Sequence, residues 1–173
     1  MTLLTHRACG RPVGVMMGAV GVQDRVEAVY RAVHRRLWRS LLAYTGDAEL
    51  ASDAEAEAFA QVLRRGDAVE DVEAWVWRSA FRIAGGLVAT RSGWSDLGAV
   101  DYSTRSSGSV AEFLSLLGDL SPQQRACVAL LYVGGYTSSE IGEVLGTSAG
   151  TVRVQLHRAH ASLRNTITEA EHA

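Results

Sequence analysis

Residues 135–164, GYTSSEIGEVLGTSAGTVRVQLHRAHASLR, decide how this chain is read. Thr137 can cap a helix, and Glu140, three residues later, supplies the returning carboxylate of a capping box. Ile141, Val144 and Leu145 give that short helix an apolar face. Gly146 stops it, because glycine enters the left-handed backbone region without a Cβ penalty. Ser148 can cap the next helix, whose apolar stripe is Val152, Leu156, Ala159 and Leu163. The spacing predicts a helix-turn-helix whose second helix is long.

Charge gives the second helix a direction. From Ser148 to Asn165 it carries three arginines (Arg153, Arg158, Arg164), two histidines and no acid. Its N-terminus is small and polar (Ser148, Ala149, Gly150, Thr151), the place where such a helix meets base edges in a major groove. Ser148, Ala149, Thr151, Arg153, His157 and Arg158 are therefore the expected DNA-facing set. The alternative is a helical hairpin with solvated arginines; the caps, the short first helix and the acid-free second helix all argue for DNA. His157 and His160 lie three apart, but no cysteine or carboxylate completes a metal site near them.

The whole chain has 173 residues and a formal net charge of −2. A protein that binds DNA tightly by itself carries a stronger positive footprint, so the balance points to binding assisted by a partner. Cys9 and Cys127 have no metal or disulfide spacing, which fits a reduced, cytoplasmic compartment. Residues 13–22, VGVMMGAVGV, are apolar but too short to cross a bilayer. Arg7 and Arg11 give them a faint signal-peptide look, without a convincing cleavage site. Residues 1–23 are read as a disordered extension, with Met16 or Met17 as possible true starts and no membrane insertion.

Three helices are expected next. The first runs from Asp24 to about Tyr44 on Val26, Val29, Val33, Leu37 and Leu41. The second, Glu49 to Leu63, is acidic; the third, Val72 to Thr90, carries Trp75, Trp77, Phe81, Ile83 and Leu87. Residues 24–92 hold ten arginines against eleven acids, the arginines concentrated on the first and third helices. Such a split suits two different partners, or simply a solvated surface. Residues 92–109, rich in serine and glycine, read as a flexible linker. A short apolar helix from Val110 to Leu117 follows, then one opened by Ser121-Pro122-Gln123-Gln124 as a capping box with proline at its first position. The last residues, 168–173, form an acidic tail. No stretch reads as a strand, so the expected fold is all-α: two small helical domains, 24–91 and 110–167, joined by the linker.

Taken together, residues 24–167 resemble the extracytoplasmic-function (group 4) sigma factors of bacterial RNA polymerase. The stretch LSPQQRACVALLYVGGYTSSEIGEVLGTSAGTVRVQLHRAHASLR follows the family's region 4 pattern almost throughout. VYRAVHRRLWRSLLAYTGD is similar to the first helix of region 2, and ASDAEAEAF to its polymerase-binding segment. There Asp53, Glu57 and Phe59 match, while Ala56 replaces a customary glutamine. WVWRSAFRIA is similar to the −10-contacting helix: Trp75, Arg78 and Ala80 match, whereas Phe81 and Arg82 depart from a usual basic residue and asparagine.

The resemblance implies a non-enzymatic, cofactor-free promoter reader that works on core RNA polymerase, contacting the β′ coiled coil and the β flap. Asp53, Glu57 and Phe59 would bind polymerase. Trp77, Arg78, Phe81 and Arg82 would hold the −10 element by stacking and charge, while Trp77 reads equally well as core. The second helix of the helix-turn-helix would read the −35 element, and an anti-sigma factor is a possible partner. Two other readings remain: a stand-alone helix-turn-helix regulator, and a sigma-like interaction protein that does not initiate transcription. No nucleophile, general base or phosphate loop suggests catalysis.

Overall fold

A computed structural model of the chain describes residues 21–92 and 108–171. Most of the expected N-terminal extension and linker residues 93–107 lie outside these. Every regular element among the described residues is helical, so the fold is all-α.

Helix α1 (Val22–Thr45) starts inside the stretch expected to be disordered, with Asp24 in its first turn, where the helix dipole favours a carboxylate. Val26, Val33, Leu37, Leu41 and Tyr44 form its buried stripe. It stops at Gly46, whose φ of 71° is left-handed. Asp47 caps α2 (Ala48–Arg65), its Oδ1 accepting from the backbone N–H groups of Glu49 (2.8 Å) and Leu50 (3.0 Å). Burial raises the Asp47 pKa, but those bonds and Arg91 outweigh it and leave the carboxyl below its ordinary value. Ala51, Ala54 and Ala58 are fully buried, and their small side chains let α2 lie close against its neighbours.

After a short 3-10 turn (Gly66–Ala68), Asp71 Oδ1 accepts from the Ala74 N–H at 2.9 Å and opens α3 (Val72–Ser92). Val72, Val76, Trp77, Ala80, Phe81 and Ala84 are buried along it, and α1, α2 and α3 pack on one another. Arg25 ties the start of α1 to this corner, donating to Asp67 (2.8 Å) and to the Val69 carbonyl (3.2 Å).

The second group is α4 (Gly108–Gly118), α5 (Pro122–Val128), α6 (Ser138–Leu145) and α7 (Ala149–Glu171). Ser121 and Gln124 make the expected capping box of α5, with Pro122 at its start. Residues 129–133 then widen into a π-helical turn that the apolar spacing did not foretell. It ends at Gly134, where an added Cβ would lie 2.7 Å from the Leu130 carbonyl oxygen, so only glycine permits the closure. Helix α7 runs through residues 168–171, expected as a tail, since nothing between Asn165 and Glu171 breaks a helix.

The two groups share one hydrophobic core. Helix α1 packs on α5 and the π turn, and α3 packs on α6. Arg125 of α5 bridges them, donating to the carbonyls of Gly118 and Leu120 (both 3.1 Å) and of Tyr44 (3.5 Å).

Candidate nucleic-acid interface

Local chemistry builds the helix-turn-helix. Thr137 Oγ1 accepts from the Glu140 N–H, and the Glu140 carboxylate accepts from the Thr137 N–H and hydroxyl, both at 2.7 Å. Those bonds hold the Glu140 pKa below its ordinary value. Gly146 then turns the chain with a φ of 67°. The turn folds back so tightly that a Cβ on Gly142 would stand 2.7 Å from the Thr147 carbonyl oxygen.

Helix α7 opens as expected, with Ser148 Oγ accepting from the Thr151 N–H at 3.0 Å and lying 2.9 Å from the Thr151 hydroxyl. Val152, Leu156 and Ala159 are buried on one side. Ser148, Thr151, Arg153, His157 and Arg158 are exposed on the others, and Ala149 is half-buried. Five of the six expected DNA-facing residues are thus accessible at the start and along the exposed sides of α7, and Ala149 sits at the edge of its buried side. One flank, through Thr151 and Gln155, abuts Tyr44 and Gln123 around a cavity of about 170 Å³.

The expected −10 set divides. Arg78 and Arg82 are exposed on α3, but Trp77 and Phe81 are not. Trp77 is 0 % exposed, with its ring edge-on to Tyr136 at 4.9 Å, and Phe81 stacks on Tyr44 at 5.5 Å. The expectation that these two rings face bases is corrected: in this arrangement both are core, because α3 is covered by α1 on one side and by the second helical group on another. The Arg36 guanidinium lies over both Trp77 (5.4 Å) and Tyr136 (5.8 Å) while donating to Glu73 at 2.9 Å. The Trp77 indole N–H has no hydrogen-bond partner among the described residues. Beside this contact runs a groove of about 260 Å³, lined by Asp71, Glu73, Arg78, Glu140 and Glu143.

The expected polymerase-binding set divides too. Asp53 is exposed, and Glu57 is half-buried with Gln61 (2.8 Å) and Arg64 (2.6 Å) donating to it, which lowers its pKa. Phe59, expected to face a partner, is instead 7 % exposed and meets the ring of Tyr30 edge-on at 5.1 Å. Its spacing of four from Glu55 and three from Val62, both buried, puts it on the inward face of α2, toward α1. Tyr30, 44 % exposed, is the ring that reaches the surface there.

Sequence reasoning passed over Arg36, Tyr132 and Tyr136. The only local signal was the glycine pair before Tyr136, which marks a forced turn but not what the ring lands on. Tyr132, 63 % exposed, places its hydroxyl 2.8 Å from His160 Nε2. No helix among the described residues is long and apolar enough to cross a membrane.

Residues 111–163 match the family described as sigma-70, region 4. Across 162 residues the chain is 27 % identical to the ECF RNA polymerase sigma factor SigL of Mycobacterium tuberculosis, covering 83 % of this chain and 89 % of that one. Over 66 residues it is 41 % identical to the RNA polymerase sigma-E factor of Streptomyces avermitilis, 38 % of this chain and 37 % of the relative. Two solved structures share the fold. CnrH in complex with the cytosolic domain of CnrY gives a TM-score of 0.66 at 19 % identity, over 85 % of this chain and 90 % of that one. The sigma factor RpoE of Bartonella quintana, in complex with the anti-sigma factor NepR, gives 0.65 at 18 %, over 84 % and 96 %. From residue 111 to 163 the chain thus carries the sequence pattern of sigma-70 region 4 on a helix-turn-helix, and along most of its length it is similar to ECF sigma factors.

Proposed function

We propose that this chain is a sigma factor of the ECF (group 4) kind, which directs core RNA polymerase to promoters in the bacterial cytoplasm. The observation that carries the reading is α7: a capped helix with an exposed, acid-free surface from Ser148 to Asn165, set on a sequence that matches sigma-70 region 4. In this reading residues 110–167 form the −35 module. Ser148, Ala149, Thr151 and Arg153 meet base edges, and His157 and Arg158 lie nearer phosphates, so that some contacts specify and others position.

Residues 24–91 form the polymerase and −10 module. Asp53 and Glu57 orient the β′ coiled coil through charge, which governs on-rate and register more than affinity. Phe59 acts beneath them by supporting Tyr30. Arg78 and Arg82 hold the −10 strand. The burial of Trp77 means that stacking on bases requires α3 and α6 to separate first, and core polymerase is the partner that would hold them apart. The β flap is the proposed partner of the 110–167 module. An anti-sigma factor is proposed as the partner that keeps the groups together; the two solved structures described above each hold a second protein, in one case named an anti-sigma factor.

Run-off transcription with purified core enzyme on a promoter library tests the reading. Specific transcripts that depend on this chain support it. An absence of polymerase binding, together with site-specific binding of duplex DNA by the chain alone, replaces it with a stand-alone regulator.

A further inference from the structure

Arginines that the promoter-reading set does not use gather on α1. Arg35 and Arg39 are exposed one turn apart, and neither meets a carboxylate among the described residues. Their neighbour Arg36 is already held by Glu73. The three line a groove of about 490 Å³ whose opposite wall is Tyr132 and Val133 of the π turn. Like charges placed this close repel, and a chain of net charge −2 has acids enough to neutralise them. Arg35 and Arg39 are left without a carboxylate partner among the described residues.

The groove does not end at Tyr132. Its hydroxyl meets His160 of α7 at 2.8 Å. On α7, Arg153, His157, His160 and Arg164 are spaced four, three and four, so they share one face beside the apolar stripe. That face is about 16 Å long at 1.5 Å per residue. Tyr132 thus joins two cationic surfaces from different helical groups into one track, starting at the N-terminal half of the recognition helix and ending on α1. The π turn makes the join, since it widens the helix where Tyr132 leaves it.

We propose that this track binds the sugar-phosphate backbone of duplex DNA leaving the recognition helix, with Arg35 and Arg39 as its far anchors. A duplex presents a phosphate about every 3.4 Å along each strand, so the α7 face alone spans about five. The continuity with α7 favours nucleic acid over an acidic protein: the same backbone that passes Arg153 would reach Tyr132 and then α1 without a gap. The proposal rests on the DNA-binding reading of α7 and adds to it that the compact arrangement is itself a DNA-binding form, with contacts independent of base sequence.

The test uses the full chain without polymerase and a fluorescent 30-base-pair duplex of arbitrary sequence, read by anisotropy from low to moderate salt. R35A/R39A is expected to weaken binding equally on unrelated duplexes. It should also make the log–log salt dependence shallower by about two units, at about 0.9 per lost phosphate contact. R153A/R164A should make it shallower as well. Circular dichroism on each variant checks that the helices persist. If R35A/R39A leaves the slope unchanged while R153A/R164A lowers it, the α1 end of the track is refuted and the reading of α7 stands. If neither moves it, both fall. If polyglutamate displaces the duplex at equal charge concentration and R35A/R39A abolishes that competition alone, the groove takes an acidic protein instead, and the proposal is overturned.

Discussion

Tyr136 meets Trp77 edge-on at 4.9 Å, and it does so from the far side of a boundary: Trp77 belongs to α3, Tyr136 to the turn that leads into α6. Arg36 of α1 lies over both rings, so three elements converge on one aromatic contact. The price of that contact is visible, because burying the Trp77 indole leaves its N–H without a partner among the described residues. An unsatisfied buried donor costs about 1–3 kcal/mol. An aromatic pair contributes about 0.5–1.5 kcal/mol beyond its buried area. At this contact the two terms offset each other, so the closure is held by the apolar surface the two groups bury in their shared core.

Tyr136→Ala is expected to open it. Removing the ring takes away the pair and the apolar area it buries, a loss to the compact arrangement that water reaching the Trp77 N–H only partly offsets. Tryptophan emission should shift to the red and the radius of gyration from small-angle scattering should rise, with helix content unchanged by circular dichroism. Unchanged scattering would show that the rest of the shared core holds the groups together without this contact.

The reach of sequence reasoning follows from the range of the interaction involved. Thr137, Glu140, Gly146 and Ser148 act within three or four residues, and each was legible because a cap has no distant partner. Trp77 and Phe81 were not legible, because the period of α3 says which residues are apolar but not how many neighbours the helix has. Phe81 stacks on Tyr44, and Trp77 is covered by a segment some sixty residues later. The π turn has no spacing signature, so Tyr132 read as one more residue of an apolar run. Phe59 came from resemblance alone, and its burial reflects the alanine-rich surface that draws α2 close to α1.

Gly142→Ala separates tertiary constraint from helix propensity. In an isolated helix the change would stabilise by about 1 kcal/mol. Here the new methyl would stand 2.7 Å from the Thr147 carbonyl oxygen, a backbone atom that cannot swing aside. The expected result is a loss of about 1–3 kcal/mol, as for overpacking. Gly150→Ala is the matched control, since its Cβ would find only Ser148 Oγ at 3.6 Å, and it should gain about 0.5–1 kcal/mol. Urea unfolding of the two variants checks the opposite signs.

Glu55 gives the fold a pH dependence. It is buried on α2, its Oε1 has no partner among the described residues, and burial pushes its pKa from 4.5 up to about 7. A carboxyl raised in the folded state favours folding while protonated, so its contribution is complete below pH 4.5 and lost as pH rises through about 7. Glu55→Gln should therefore be near neutral at pH 5 and stabilising by roughly 1–2 kcal/mol at pH 8. Urea midpoints at the two values check it; a difference that does not grow with pH would mean that the carboxylate finds a partner when it ionises.

Arg153→Ala should report base readout. An arginine bidentate to guanine discriminates by about 1–3 kcal/mol, whereas a phosphate contact discriminates not at all. On a panel of −35 variants bound to the reconstituted holoenzyme, the loss is expected at a single base pair. A uniform loss would move Arg153 to the backbone-positioning group and leave Ser148 and Thr151 as the readers.

Arg78→Ala divides assembly from melting. Arg78 is exposed on α3 and lines the groove with Asp71, Glu73, Glu140 and Glu143, so in the compact arrangement acids surround it. In the proposed opening of α3 from α6, Glu140 and Glu143 would leave with α6, and the guanidinium would become available to a strand of phosphates and unstacked bases. Its loss should leave affinity for core polymerase within about twofold, since the surface proposed to bind it is on α2, while reducing promoter opening by about tenfold, the equivalent of one charged contact of about 1.4 kcal/mol. Permanganate footprinting of the −10 region reads the opening and co-purification reads the assembly. Normal footprints with this variant would remove Arg78 from the melting machinery and leave Arg82, one turn along α3, as the arginine to examine there.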